Sequence, residues 1–195
     1  MATYHAIATI GEALLGILKA ACPKEFESAQ FLLYQPNDFQ NPMAEGISLY
    51  LYHVSFNATL RNLPPRIDYT GRRYRPSLPI DLHYLLIPWA KSAEKQQWFL
   101  GWSMRVLEDT PILAASILNH YGSADSSFQD HEAVELVHEP ISLQEIVNIW
   151  DALKPNLQTA IPYVVRMVCI DSTVPLDEGA PVQARTNIYA KGVGQ

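Results

Sequence analysis

The chain is short of charge and short of cysteine. Only 17% of its 195 residues are Asp, Glu, Lys or Arg, against about a quarter in ordinary globular proteins. Low charge together with four Trp, ten Tyr and six Phe excludes an intrinsically disordered chain. A formal charge of -6 excludes an overall basic nucleic-acid binder. These figures suit a folded protein that covers part of its surface with other protein. Cys22 and Cys169 are the two cysteines. They stand far apart, with no CxxC and no ladder of spacings, so no disulfide framework is indicated. They read as buried thiols in a reducing compartment. No run approaches the roughly 18 apolar residues of a membrane span. No Lys or Arg precedes Lys19, and Glu12 interrupts the apolar start, so no signal peptide is visible. Cytoplasmic assembly without direct membrane insertion is expected, with the chain joining something larger afterwards.

The length allows one domain with a core that needs no metal or disulfide. Ile7, Ile10, Leu14, Ile17 and Leu18 recur at helical spacing over 3–22, with Thr3 as cap and Pro23 as stop. Gly11 and Gly16 inside that helix imply close packing. Residues 30–35 form a short strand, and 47–58 a long one with apolar side chains on both faces, hence covered on both sides. Four prolines, Pro64, Pro65, Pro76 and Pro79, break the pattern over 59–79, where Asp68 to Gly71 reads as a hairpin turn. Strand character resumes over 80–88 and is expected to stop at Pro88. Residues 90–108 form a helix whose apolar stripe is Trp98, Trp102 and Val106 with Phe99 and Leu107 beside them, and 112–118 a short helix. Val134 to Val137 is a strand. Ser142 and Glu145 form a capping box, with Ile141 and Ile146 as staple and Leu143 in the buried stripe behind it. Ile161 to Ile170 is the last strand. Residues 1–173 thus read as one α/β (α+β) domain, a mixed sheet flanked by helices. Residues 174–195 read as an extended tail.

Motifs for chemistry are scarce. No Walker loop and no GxGxxG occurs. Ser103 lacks the second glycine of a nucleophile elbow and falls inside a helix. His120, His131 and His138, with Asp130 and Glu132, match no zinc spacing. No catalytic, cofactor or metal site is therefore expected. A hydrolase or transferase using His83 and Asp81 remains an alternative, and His53 paired with His83 across a sheet is another reading of that histidine.

The charge layout is uneven. Arg61, Arg66, Arg72, Arg73 and Arg75 lie between Leu60 and Pro76, with Asp68 the single acid there. This segment carries +4, which leaves -10 on the rest. All five cations are Arg, the residue suited to planar bidentate contact with carboxylate or phosphate. The acidic remainder opposes a nucleic-acid footprint. The segment reads either as a solvated loop or as a docking arm for an acidic protein surface, with phosphate or nucleic-acid contact as the remaining alternative.

Three further stretches carry a resemblance. They are Asn62-Leu63-Pro64-Pro65-Arg66, Leu82-His83-Tyr84-Leu85-Leu86-Ile87-Pro88-Trp89-Ala90, and Asn148-Ile149-Trp150-Asp151-Ala152-Leu153 followed by Pro162-Tyr163. In order and spacing, from about residue 5 to residue 172, they resemble the Pvc-type domain-of-unknown-function (DUF4255) family. That family contains cap, or tail-terminator, proteins of extracellular contractile injection systems. The resemblance implies a tail-terminator-like α/β fold and no enzymatic activity. It implies a homohexameric ring at the baseplate-distal end, touching inner-tube and contractile-sheath proteins. Another structural or adaptor component of the same particle, tube- or baseplate-associated, is the alternative.

Overall fold

The long strands carry apolar side chains on both faces, so the sheet needs cover from both sides, and helices supply it. The computed structural model describes residues 2–60, 62–123, 127–153 and 156–176. Helix α1 (Ala6–Ala20) is followed by strand β1 (Gln30–Tyr34), a 3-10 turn (Pro36–Gln40) and β2 (Gly46–Phe56). Next come β3 (Arg66–Ile67), β4 (Arg73–Tyr74) and β5 (Leu78–Trp89). The second half runs α2 (Ala93–Glu108), β6 (Ile112–Ala114), α3 (Ala115–Tyr121), β7 (Ala133–His138), α4 (Leu143–Leu153) and β8 (Ile161–Ile170). Six strands make one sheet in the order β1-β2-β5-β8-β7-β6. Only β1 and β2 run parallel, so the sheet is mixed. β3 and β4 pair separately as a hairpin. This is the single mixed α/β domain that the sequence implies.

Two apolar layers result. On one face Ile10, Leu14 and Leu18 of α1, Phe99 and Leu107 of α2, and Leu118 of α3 pack on Ile47, Leu49, Leu82, Tyr84 and Val165. On the other face Trp150 of α4 and Phe39 of the 3-10 turn pack on Tyr34, Leu85, Ile87 and Trp89. Among the described residues the Trp150 indole N–H meets no oxygen acceptor. Its ring stands edge-to-face with Phe39, centroids 5.6 Å apart, an arrangement favoured by the ring quadrupoles. The Ser142–Glu145 box forms as expected: the Ser142 amide donates to Glu145 Oε2 at 2.8 Å, and the Glu145 amide to Ser142 Oγ at 3.2 Å.

Several expectations are corrected. His5, not Thr3, occupies the cap position of α1. Trp98 is exposed, and the buried stripe of α2 runs Phe99–Ser103–Leu107. Leu143 is likewise exposed at the first turn of α4. Residues 112–114 are strand, pairing with β7, and the helix starts after them. Pro88 does not end its strand, and Pro79 lies inside it.

One rule explains these strand prolines. In a strand, N–H and C=O of one residue point to the same side. Pro88 offers its carbonyl to Gln96 Nε2 at 3.0 Å, on the side where β8 begins only opposite Leu86. Pro79 accepts from the Asn57 amide just past the end of β2, and Pro162 from the Glu139 amide just past the end of β7. Each missing N–H therefore faces the very end of a neighbouring strand, so the interior of the ladder loses no bond.

Gly16 marks the closest approach between helices. A Cβ there would lie 2.3 Å from the Tyr121 ring. Gly16→Ala should therefore destabilise the fold by about 1–3 kcal/mol despite better helix propensity, read as a lower Tm. The added Tyr121→Ala change should recover part of that loss. An unchanged Tm in Gly16→Ala would refute the α1–α3 contact.

Candidate functional site

The arginine segment becomes the β3–β4 hairpin, and its turn is organised by one carboxylate. Asp68 Oδ1 accepts the Thr70 and Arg72 amides at 2.8 and 2.9 Å, and Asp68 Oδ2 accepts the Tyr74 hydroxyl at 3.2 Å. The Thr70 hydroxyl donates to the same side chain. These bonds, the Thr70 hydroxyl first, hold the Asp68 carboxyl below the usual range. Gly71 takes φ +85°, a conformation open to glycine. Tyr74 then serves as a platform, with the guanidinium of Arg66 4.3 Å and that of Arg72 5.7 Å from its ring centroid. Such contacts contribute about 0.5–1 kcal/mol each at exposed sites. Arg73 and Arg75 are exposed. Tyr69, at the turn, has 101% of its surface open. Arg61 lies outside the described residues.

Two aspartates fix the root of this arm. Asp171, just after β8, accepts the Ser77 hydroxyl at 2.8 Å. Arg66 Nε lies 3.2 Å from its other oxygen, an ion pair without hydrogen-bond alignment. Asp81 accepts both Asn57 Nδ2, at 3.0 Å, and the Met167 amide, at 3.2 Å. Met167 has φ 65° where the β5–β8 register slips between Ile80 and Leu82. A non-glycine residue there is strained, and the Asp81 bond holds it. Beyond Asp171 the chain lies along β4. The Arg75 amide donates to Val174 O at 3.0 Å and the Leu176 amide to Arg73 O at 2.9 Å. Residues 174–176 thus add an antiparallel edge to the hairpin. The rest of the expected tail, 177–195, lies outside the described residues.

His83 sits elsewhere than the Asp81 alternative requires. His53 and His83 do pair across β2 and β5, ring centroids 5.1 Å apart. Asp81 is engaged by Asn57 and Met167, and the carboxylate beside His83 is Glu139, with Oε2 2.6 Å from Nδ1. On the other side Ser55 Oγ lies 2.8 Å from Nε2. With Nδ1–H donating to the carboxylate, Nε2 accepts the serine proton. Hydroxyl, imidazole and carboxylate stand in the order of an acyl-transfer triad. Ser55, however, is a strand residue paired with Asp81, not a residue on a sharp turn, and it does not line the neighbouring cleft. The chain of bonds ties β2, β5 and the β7–α4 connection together. Sequence reading missed Ser55 and Glu139. The signal available was the shared face of Ser55 and His83, two positions along from the His53–His83 pair.

Beside this chain opens a cleft of about 470 Å³, bordered by Tyr52, His53, His83, Glu139, Ile141 and Glu145, with Asn148 and Ile149 of α4 completing it. The β2–β5 register slips between Leu51 and His53, and this bulge lets consecutive residues Tyr52 and His53 both border the cleft. Burial, with the nearby Glu139 and Glu145 charges, pushes the Tyr52 phenol up to about 12. The Ser142 hydroxyl and amide hold the Glu145 carboxyl below its usual value. Among the described residues the lining carries two carboxylates and neither Lys nor Arg.

Ser103 is buried in α2, its hydroxyl bonded back to Leu100 O at 3.1 Å. His138 stacks on Tyr163 and His120 on Tyr121. Among the described residues no group of three His, Cys, Asp or Glu is placed to hold a metal. No described helix is long and apolar enough to cross a membrane.

Comparison with known proteins gives three findings. The family model described as the Pvc16 N-terminal domain matches residues 9–184. In fold the chain is similar to the sheath/tube terminator of the PVC extracellular contractile injection system in its extended state. That likeness has a TM-score of 0.62 and 18% identity, and covers 97% of this chain and 65% of that one. It is also similar to the anti-feeding prophage cap, a tube-terminating cap, with a TM-score of 0.59 and 16% identity, over 92% of this chain and 60% of that one. The chain therefore spans less than two thirds of either structure. No curated protein matches it.

The Asp68 turn is testable alone. Asp68→Ala should speed amide exchange at Thr70 and Arg72 while leaving Tm nearly unchanged, since none of the three belongs to either apolar layer. Its folded-state pKa is lowered, so the stabilisation is complete above the ordinary aspartate value of about 4 and fades as pH falls through the lowered value. Unaltered exchange at both amides would contradict this role.

Proposed function

The chain belongs to the Pvc16 N-terminal domain family, and on that premise we propose that it is a structural cap, or terminator, of a contractile injection system. The observation that carries the reading is the likeness in fold to a sheath/tube terminator across 97% of the chain. We read the DUF4255 grouping as this same family. Copies of the chain close into a homohexameric ring at the baseplate-distal end of the particle. The ring binds the last layers of inner tube and sheath, stops their polymerisation and so fixes length. It is assembled in the cytoplasm, uses no cofactor or metal, catalyses no reaction, and touches neither nucleic acid nor the membrane interior.

The physical task explains the parts. An open tube or sheath end exposes unsatisfied interface and strand edges, and an added strand fills such an edge. A ring of heterologous contacts closes without free ends in its own plane. We divide the chain into a cap domain, 1–173, and a tail, 174–195, that reaches the sheath. The run of 174–176 along β4 is in keeping with a tail that pairs with strand edges. The arginines, Arg61, Arg66, Arg72, Arg73 and Arg75, make contacts between subunits or with the tube end.

Particles made without this chain should vary widely in length by electron microscopy, and a normal length distribution would overturn the cap reading. Arg72→Glu combined with Arg73→Glu should give uncapped sheath or uncontrolled length, and normal particles would sink the arm's part in it.

A further inference from the structure

The arm and the cleft have matching chemistry. Tyr69 and Ile67 stand at the hairpin turn, 101% and 63% exposed. The turn beneath them is held by the four Asp68 hydrogen bonds and by the stacking on Tyr74. A fully exposed aromatic on a rigid support is a costly surface for a free protein and a good anchor for a bound one. Little conformational freedom is lost when it docks, and buried Tyr and Arg dominate many interfaces. Tyr69 makes no use of its own chain's cleft, because its whole surface is open. Any docking of this tip is therefore onto another molecule.

The cleft offers what such a tip needs. Its walls provide Tyr52 and His53 rings and the apolar Ile141 and Ile149 side chains, and Glu139 and Glu145 add acceptors, with no Lys or Arg among the described lining residues. Its volume, about 470 Å³, lies in the roughly 300–1,000 Å³ range of sites that enclose a small ligand, so one aromatic side chain with its flanks fits. A phenol hydroxyl donates well to a carboxylate. Arg72, Arg73 and Arg75 beside the tip bring positive charge to a wall with two carboxylates. The body that bears the cleft carries -10 against the arm's +4.

We propose that the cleft between β2 and α4 receives the Tyr69 hairpin tip of a second copy of this chain. Tyr69 is the buried anchor, and Arg72 and Arg73 face Glu139 and Glu145. The contact is head to tail, so it propagates around a ring and closes when the last arm meets the first cleft. It names the partner of the arm within the ring reading given above, and it rests on that reading only for the number of copies.

Cysteine pairing tests it. Tyr69→Cys and Asn148→Cys are made as separate full-length proteins in a Cys22→Ser, Cys169→Ser background, mixed, assembled with the other particle proteins and oxidised. Asn148 is exposed on the cleft wall. The expected result is a disulfide-linked dimer from the mixture, absent from either protein alone. The doubly substituted chain should give a ladder ending in a closed ring. Alongside this, Tyr69→Ala should weaken self-association at least tenfold by sedimentation with an unchanged circular dichroism spectrum. Rings without the cross-link would overturn the docking and leave the cap reading standing. The cross-link in an assembly that is not at the particle's distal end would support the docking and remove the cap reading. Cross-linking of Tyr69→Cys to a tube or sheath protein instead would also overturn self-docking.

Discussion

Burial of β5 on both faces is the constraint from which the rest of the structure follows. Leu82, Tyr84 and Leu86 face the layer under α1, α2 and α3, while Leu85, Ile87 and Trp89 face the layer under α4. The strand is paired along both edges, with β2 and with β8. A strand held this way cannot shift register, because a one-residue slip would exchange its two apolar faces. Its two irregularities are therefore fixed features. One lies opposite Tyr52 on the β2 side, and one opposite Met167 on the β8 side.

Those two irregularities position the cleft and the root of the arm. The first places two consecutive side chains at the mouth of the cleft. The second, held by Asp81, sits where β2 gives way to the arm. Asp171 ties the arm's base to the end of β8. The hairpin is thus anchored to the sheet at its root and internally braced at its tip, so its charge is presented in a fixed place. On the proposed cap reading, such a fixed presentation suits a protein that fits the end of a polymer. The low overall charge of the chain goes together with a concentration of cations on this one projection.

Features with local causes were legible in the sequence. The capping box at Ser142, the alternation of β2 and β8, and the Asp68–Gly71 turn each depend on residues within a few positions of one another. Pro79 and Pro88 defeat a local reading because their cost depends on how far the neighbouring strand extends, and no local pattern records that. Phe99 and Leu107 are legible in the stripe of α2, but Trp98 is not distinguishable from them, because Ser103 interrupts the apolar repeat and is accommodated by its bond to Leu100 O. β6 has three residues, too few for a period to appear. The arm's charge was readable by counting arginines. The cleft was not: it depends on a bulge at Tyr52 and on Glu139 arriving from β7, contacts between segments remote in sequence. Asp81 looked like a partner for His83 because they lie two residues apart on one strand, but the β5–β8 slip gave it a different task.

On the proposed cap reading this fold ends a polymer. Electron cryo-microscopy of the assembled particle, with this subunit located in the reconstruction, decides the matter. A single closed ring at the end distal to the baseplate, seated on the last tube and sheath layers, is the predicted result. Copies found at the baseplate, or repeated along the tube, would contradict it.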